Sequence, residues 1–136
     1  MIRQATIPII LLLVLTACVP TWQEIRALEP VRQGMSKGHY KTLAICFIRA
    51  SEAEDSWGGR LDYKILDNEQ ARQAYVSVLF IPGGIWAISP AQPIMEWMFT
   101  QTDPENTLVA VRARNPIDGQ ERWESIERCT RQGGSG

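Results

Sequence analysis

The stretch Tyr40–Arg49, YKTLAICFIR, decides the fold prediction. Its alternate positions are apolar on both sides, with Leu43, Ile45 and Phe47 on one side and Ala44, Cys46 and Ile48 on the other. An apolar run of this length with a period of two favours a strand that is buried on both faces. The sequence therefore predicts a central strand over residues 40–49.

The segments after this stretch alternate between strand and helix patterns. Residues 61–65 alternate apolar and charged side chains, which favours a half-buried strand paired with the first. Apolar residues at helical spacing predict a helix over residues 68–81. A second helix is predicted over residues 89–99, because Pro90 stands at its first position.

The C-terminal part predicts two further strands. Residues 107–114 have a strand pattern, and the turn at residues 115–119 predicts a return strand over residues 121–130. Trp123 and Ile126 in that last segment also suit a helix. The order β-β-α-α-β-β predicts an α+β fold in which two short helices pack on a small antiparallel sheet.

The N-terminus has the composition of a secretory signal. A basic start with Arg3 is followed by an apolar run from Ile7 to Leu15 and then by small residues. A transmembrane helix needs about 20 apolar residues, and this run is shorter. The pattern therefore favours a signal peptide over a permanent span.

The tetrapeptide Leu15-Thr16-Ala17-Cys18 at the end of this run resembles the lipobox of bacterial lipoproteins. The resemblance implies that Cys18 receives a diacylglycerol and becomes the first mature residue. Val19 follows it where an aspartate would signal inner-membrane retention, so in a Gram-negative cell the resemblance implies the outer membrane, facing the periplasm. An ordinary signal peptide with a chance cysteine is the alternative.

These patterns predict four parts of the chain. They are a signal peptide (1–17), a lipid anchor with a tether (18–39), a single α+β domain (40–131) and a disordered tail (132–136). Within the second part, Thr21 and Glu24 form a capping-box pattern that starts a short helix. Pro30 would end that helix, and the Gly-containing residues 31–39 read as a loop.

Cys46 and Cys129 are the two cysteines that remain after Cys18 is lipidated. Because the periplasm is oxidising, we expect them to form a disulfide that ties the first predicted strand to the last. Two reduced, buried thiols are the alternative. No Cys-x-x-Cys motif is present, so the sequence does not indicate a redox catalyst.

Composition and motifs point away from several function classes. A formal net charge of −1 does not favour nucleic acid as a partner. His39 is the only histidine, and one histidine supplies neither a metal cluster nor a His-based triad. We therefore predict no catalytic residues, no metal and no cofactor, and expect that the protein is not an enzyme.

Two segments are candidate contact surfaces. Residues 74–95 carry no charge, and Ile85, Trp86 and Ile88 near the middle are either buried or an exposed apolar lip. The second candidate consists of arginines in the last two predicted strands, led by Arg112 and Arg114. On a shared strand face such residues bind phosphates, anionic headgroups or an acidic partner. The alternative is an exposed sheet face on which they pair with Glu121, Glu124 and Glu127.

The function predicted from these features is that of a lipid-anchored envelope protein, a binding or assembly accessory. Its partners would be the membrane, through the lipid, and an envelope protein. One alternative is a periplasmic lipid or small-molecule carrier or an envelope hydrolase. A third reading is an inhibitor or exclusion lipoprotein.

Overall fold

Nine helices and strands are present in the described part of the chain, residues 21–54, 60–81 and 91–133 of this computed structural model. In chain order they are α1 (Trp22–Arg26), β1 (Arg32–Lys37), α2 (Tyr40–Glu54), β2 (Arg60–Asn68), β3 (Gln73–Ile81), β4 (Gln92–Gln101), β5 (Asn106–Ala113), α3 (Pro116–Glu121) and α4 (Trp123–Gly133). The strands form one antiparallel sheet in the order β1-β5-β4-β3-β2. Strands β2 to β5 thus form a meander, and β1 is an edge strand that pairs with β5.

The main core lies between one face of the sheet and the helices α2 and α4. Phe47 of α2 packs against Trp97 of β4 with ring centroids 4.4 Å apart, and Trp97 stacks at 5.8 Å on Trp123 of α4. Fully buried valines from β3 and β5, including Val76 and Val111, complete the layer. Each such side chain contributes roughly 1.5–3 kcal/mol through burial.

The α+β class with helices on a small antiparallel sheet is confirmed, but several elements differ from their predicted type. Residues 40–49 form part of helix α2 and not a central strand. Tyr40, Leu43, Ala44 and Phe47 are buried at helical spacing, whereas Ile45 is 43% exposed. Leu43 and Phe47, four residues apart, lie on one side of a strand and of a helix alike, so their spacing does not distinguish the two.

Two segments predicted as helices are strands. Residues 73–81 form β3, in which Ala74, Val76 and Val78 are fully buried with a period of two. The described part of residues 89–99 belongs to β4, in which Trp97 and Phe99 are fully buried toward α2. The β-branched valines and the cross-strand partners that cover them outweigh the helical spacing. Strand β2 consequently pairs with β3 and not with residues 40–49.

Residues 121–130, for which the sequence predicts a strand with a helix as the alternative, are helical apart from Arg122 between α3 and α4. Helices α3 and α4 follow β5, and Trp123, Ile126 and Cys129 are buried at intervals of three residues. The helical reading of this segment is the one observed. Residues 31–39, read as a loop, contain the edge strand β1, which pairs with β5 from Arg32 to Lys37.

The predicted disulfide is present. Cys46 on α2 and Cys129 on α4 are bonded, with their Cα atoms 5.9 Å apart and a sequence separation of 83. Because both segments are helices, the bond ties the two helices of the covering layer to each other and not the first strand to the last. It therefore fixes the layer that closes the core.

Candidate interaction surface

The second face of the sheet, opposite α2 and α4, is only partly covered, and we call it the open face. The strand registers place one row of side chains across all five strands on this face: Gln33, Ala110, Met98, Tyr75 and Leu66. The next row begins with Met35 and Leu108. Leu66 is 62% exposed and Met35 is 56% exposed, and Met98 and Leu108 are half-buried.

A polar network joins β3 and β4 on the open face, near the start of β3. The Tyr75 hydroxyl donates to Gln73 Oε1 at 3.0 Å, and Gln73 Nε2 donates to Thr100 Oγ1 at 2.9 Å. These bonds hold three side chains in fixed positions among the exposed apolar ones. A preorganised mixture of apolar and polar groups of this kind is typical of protein contact surfaces.

Helix α1 covers one end of the open face; its start is capped, and two further contacts hold it on the sheet. The capping box is formed as predicted, with Glu24 N donating to Thr21 Oγ1 and Thr21 N donating to the Glu24 carboxylate, both at 3.4 Å. Ile25 is completely buried. Arg26 donates twice through Nε and once through Nη2 to the carboxylate of Glu96, at 3.0 to 3.1 Å.

Glu96 is a charged residue in the interior of a strand, with a side chain only 4% exposed. The side-chain hydrogen bond to Glu96 is the main cause that raises the pKa of Arg26, so the guanidinium stays charged. Ser77 Oγ donates to the same carboxylate at 3.4 Å. The ion pair therefore locks α1 onto β4.

The arginines predicted to share a face are dispersed, because residues 121–130 are helical. Arg112 lies on the open face, where its Nε donates to the Leu28 carbonyl oxygen at 3.0 Å. Arg114 follows the end of β5 and is exposed. Arg122 is buried and donates to the Tyr63 hydroxyl at 2.8 Å, and the two arginines of α4 lie on the helix layer.

Three predicted contact residues, Ile85, Trp86 and Ile88, lie outside the described residues, as does Cys18. The strands that flank residues 82–91 are described. Strand β3 ends at Ile81 and β4 begins at Gln92, at the same end of the sheet at which β5 ends. We call this the anchor end, because α1, the first described element after the predicted lipid site Cys18, also packs there.

A groove of about 620 Å³ runs beside the disulfide, between α2, the end of β1 and α4. Its walls include Leu43, Ile45 and both cysteines, and Lys37 and Arg49 contribute cationic groups. Among the described residues, neither cation has an ion-pair partner. The groove is thus apolar with positive charge along it.

A polar cluster joins α2 to the β2–β3 turn at the end of the sheet opposite the anchor end. Lys41 Nζ lies 2.8 Å from carboxylate oxygens of Asp67 and of Glu69, and the Tyr40 hydroxyl donates to Asp67 at 3.0 Å. The hydrogen bond from Lys41 is the main cause that lowers the pKa of Asp67, and Asp67 in turn raises the pKa of Lys41. Burial of Tyr40 is the main cause that raises its pKa.

His39 lies beside this cluster on the surface. Its ring is 4.6 Å from that of Tyr40, and its Nδ1 accepts a hydrogen bond from the Lys41 backbone at 3.3 Å. Within residues 21–54, 60–81 and 91–133, no group of three His, Cys, Asp or Glu side chains is placed to bind a metal ion. The helices of these same ranges are all too short or too polar to cross a membrane.

The sequence patterns missed the open face. Met35 lies in a segment predicted as a loop, Met98 in a predicted helix, and Leu66 directly after a predicted strand. No local pattern therefore predicts that the three share one surface. The alternation within residues 107–114 does place Leu108 and Ala110 on the side opposite Val109 and Val111. Comparison with protein-family models, curated proteins and solved structures finds no match to this chain.

Proposed function

We propose that this chain is a lipid-anchored envelope protein that acts as a binding or assembly accessory and not as an enzyme. The observation that carries the export part is the disulfide between Cys46 and Cys129. Structural disulfides persist in oxidising compartments such as the periplasm. The leader and the lipobox-like motif at Cys18 indicate the same compartment, so two independent features of the chain agree.

Lipidation is tested by expressing the full chain in a Gram-negative host and measuring the intact mass of the membrane-extracted protein. We expect loss of residues 1–17 and the added mass of acyl groups on Cys18. The Cys18→Ser variant should keep its leader or leave the membrane fraction. An uncleaved wild-type chain, or a mature chain with an unmodified thiol, would contradict the proposal.

The accessory role is supported by the open face. Its first row presents Met98 and Leu66 beside the ordered Tyr75 and Gln73, on a sheet whose other face is covered by α2 and α4. Exposed apolar groups among fixed polar ones are a feature of surfaces that bind another protein. The proposed occupant is an envelope protein held beside the same membrane.

Site-specific photocrosslinking in the native envelope tests this surface. A photoreactive residue at Leu66 or Leu108 should crosslink to one defined envelope protein, and the same residue at Glu124 on α4 is the matched exposed control. A Met98→Glu substitution should abolish the crosslink from position 66. Equal capture from position 124, or capture that survives Met98→Glu, would contradict the role of the open face.

A carrier function is the second candidate, because the groove beside the disulfide has a specific composition. An apolar wall with Lys37 and Arg49 suits an amphiphile that has one chain and an anionic group. Native mass spectrometry of protein extracted without added lipid should then show a bound amphiphile. The Ile45→Trp substitution, which fills the groove, should remove it.

A further inference from the structure

We infer that the anchor end of the sheet rests against the headgroups of the bilayer, so that the open face stands beside the membrane and remains accessible to a partner. This inference rests on the proposed lipidation of Cys18. It adds a second membrane contact, made by the folded domain itself, and an orientation of the domain.

The distance between lipid and domain is set by chain length. Thr21, the N-cap of α1, follows Cys18 by three positions, and an extended chain spans at most about 3.5 Å per residue. The acylated cysteine therefore lies within roughly 10 Å of α1. Because the buried Ile25 and the Arg26–Glu96 ion pair hold α1 on the sheet, the lipid restrains the whole domain.

The groups beside the first turn of α1 suit a headgroup layer. Glu24, Ile25, Leu28 and Arg114 line one recess of about 240 Å³, so Arg114 lies beside α1. Within the described ranges, the guanidinium of Arg114 has no hydrogen-bond or ion-pair partner. A free guanidinium is a bidentate ligand for a lipid phosphate.

Exposed apolar side chains flank this arginine. Leu28 is 40% exposed and Ile117 at the start of α3 is 60% exposed. Leu28 lines the same recess as Arg114, and Ile117 follows Arg114 by three positions in the first turn of α3. An arginine between apolar side chains matches the interfacial zone of a bilayer, where phosphates lie beside the first methylene groups.

The opposite end of the sheet has a different character. The β2–β3 turn and the turn at Asp103–Asn106 lie there, and Asp103 accepts hydrogen bonds from its own turn at 2.9 to 3.0 Å. Strand β2 has nine residues, so this end is roughly 30 Å from the anchor end. Ala71 in the β2–β3 turn is exposed and provides a reference position.

The experiment uses full-length, acylated protein whose mass has confirmed the lipid on Cys18. Ile117→Cys and Ala71→Cys variants are labelled with an environment-sensitive fluorophore. Cys46 and Cys129 are joined in the disulfide and the lipid occupies Cys18, so only the introduced thiol reacts with the label. The proteins are reconstituted in phosphatidylethanolamine–phosphatidylglycerol vesicles with a headgroup nitroxide quencher. We expect a blue shift and quenching at position 117 and neither at position 71.

The outcomes separate this inference from the proposed function. Acylated protein with equal quenching at both positions, or with quenching only at position 71, overturns the orientation and leaves the lipid anchor intact. A chain that is not acylated overturns both. Arg114→Glu should weaken the quenching at position 117 and Arg114→Lys should retain it; no difference between them would refute the role of that charge.

Discussion

Loss of the disulfide between Cys46 and Cys129 should be the largest destabilisation available from a conservative change. The bond joins residues 83 apart, so it closes a loop that contains most of the domain. By the chain-entropy relation, a loop of this length constrains the unfolded state by about 4.5 kcal/mol. Small domains have unfolding free energies of about 5–15 kcal/mol, so the loss is a large share of the total.

The measurement is a urea titration followed by tryptophan fluorescence, because Trp97 and Trp123 lie in the core. Oxidised wild type is compared with reduced wild type and with a Cys46→Ala/Cys129→Ala double variant. With a urea dependence of about 1–3 kcal/mol per M, the midpoint should fall by about 1.5–4.5 M. The reduced protein controls for the changed side chains of the double variant.

The slope of the titration provides a second check. The reduced unfolded chain is less constrained and exposes more surface, so its urea dependence should increase. A destabilisation below about 1 kcal/mol in protein whose wild type is demonstrably oxidised would refute the reasoning. It would mean that the unfolded chain is already compact without the bond.

Three further substitutions test the contacts described above. Arg26→Ala leaves the buried carboxylate of Glu96 without its cation and should lower the unfolding free energy by about 2 kcal/mol in urea titrations. Asp67→Asn removes a carboxylate whose pKa lies below its ordinary value of 3.8 because of Lys41; the resulting loss of stability should be present at neutral pH and vanish in acid titrations as the pH falls below 3.8. Gly38→Ala places a side chain at φ +129° and should cost about 1–3 kcal/mol by thermal unfolding.

Matched controls accompany these variants. Arg131→Ala changes an exposed arginine on α4 and should alter stability by less than about 0.5 kcal/mol. Gly119→Ala is the control for crowding without strain. A Cβ atom added at Gly119 would lie 3.3 Å from Val111, and the φ angle there is not positive. If Gly38→Ala cost no more than Gly119→Ala, backbone strain at Gly38 would not be the cause. An Asp67→Asn effect that grew with acidity would contradict the sign of the pKa argument.

Several features were predictable because they depend on neighbours in sequence. The capping box needs only Thr21 and Glu24 at a spacing of three, and it forms as expected. The alternation of residues 107–114 likewise predicts β5. The disulfide followed from the count of cysteines and the expected compartment, without knowledge of the elements it joins.

The element types of residues 40–49 and 68–81 were not predictable from their periodicity. Their apolar residues include pairs four apart, such as Leu43 and Phe47 or Ala74 and Val78, which share one side in both a helix and a strand. The choice depends on what covers the other side. Val76 is a strand residue because Ile65 and Trp97 on the adjacent strands pair with it.

Glu96 is a single residue whose environment the local sequence does not predict. A carboxylate in an apolar stretch suggests a solvent-exposed helix position, but here it is buried because Arg26, seventy residues away in sequence, neutralises it. Only the docking of α1 on β4 provides that cation. The cost of burying the charge is offset by a partner that no local pattern identifies.

By itself the sequence predicted the α+β class, the capped start of α1 and the disulfide, since these depend on composition, short spacings and the expected compartment. The tertiary structure decided which apolar segments are strands, which sheet face stays open, and that Arg114 lies beside α1 at the anchor end. The physical reason is that periodicity is a local property of the chain. Burial is set by the segments that pack together, and those are distant in sequence.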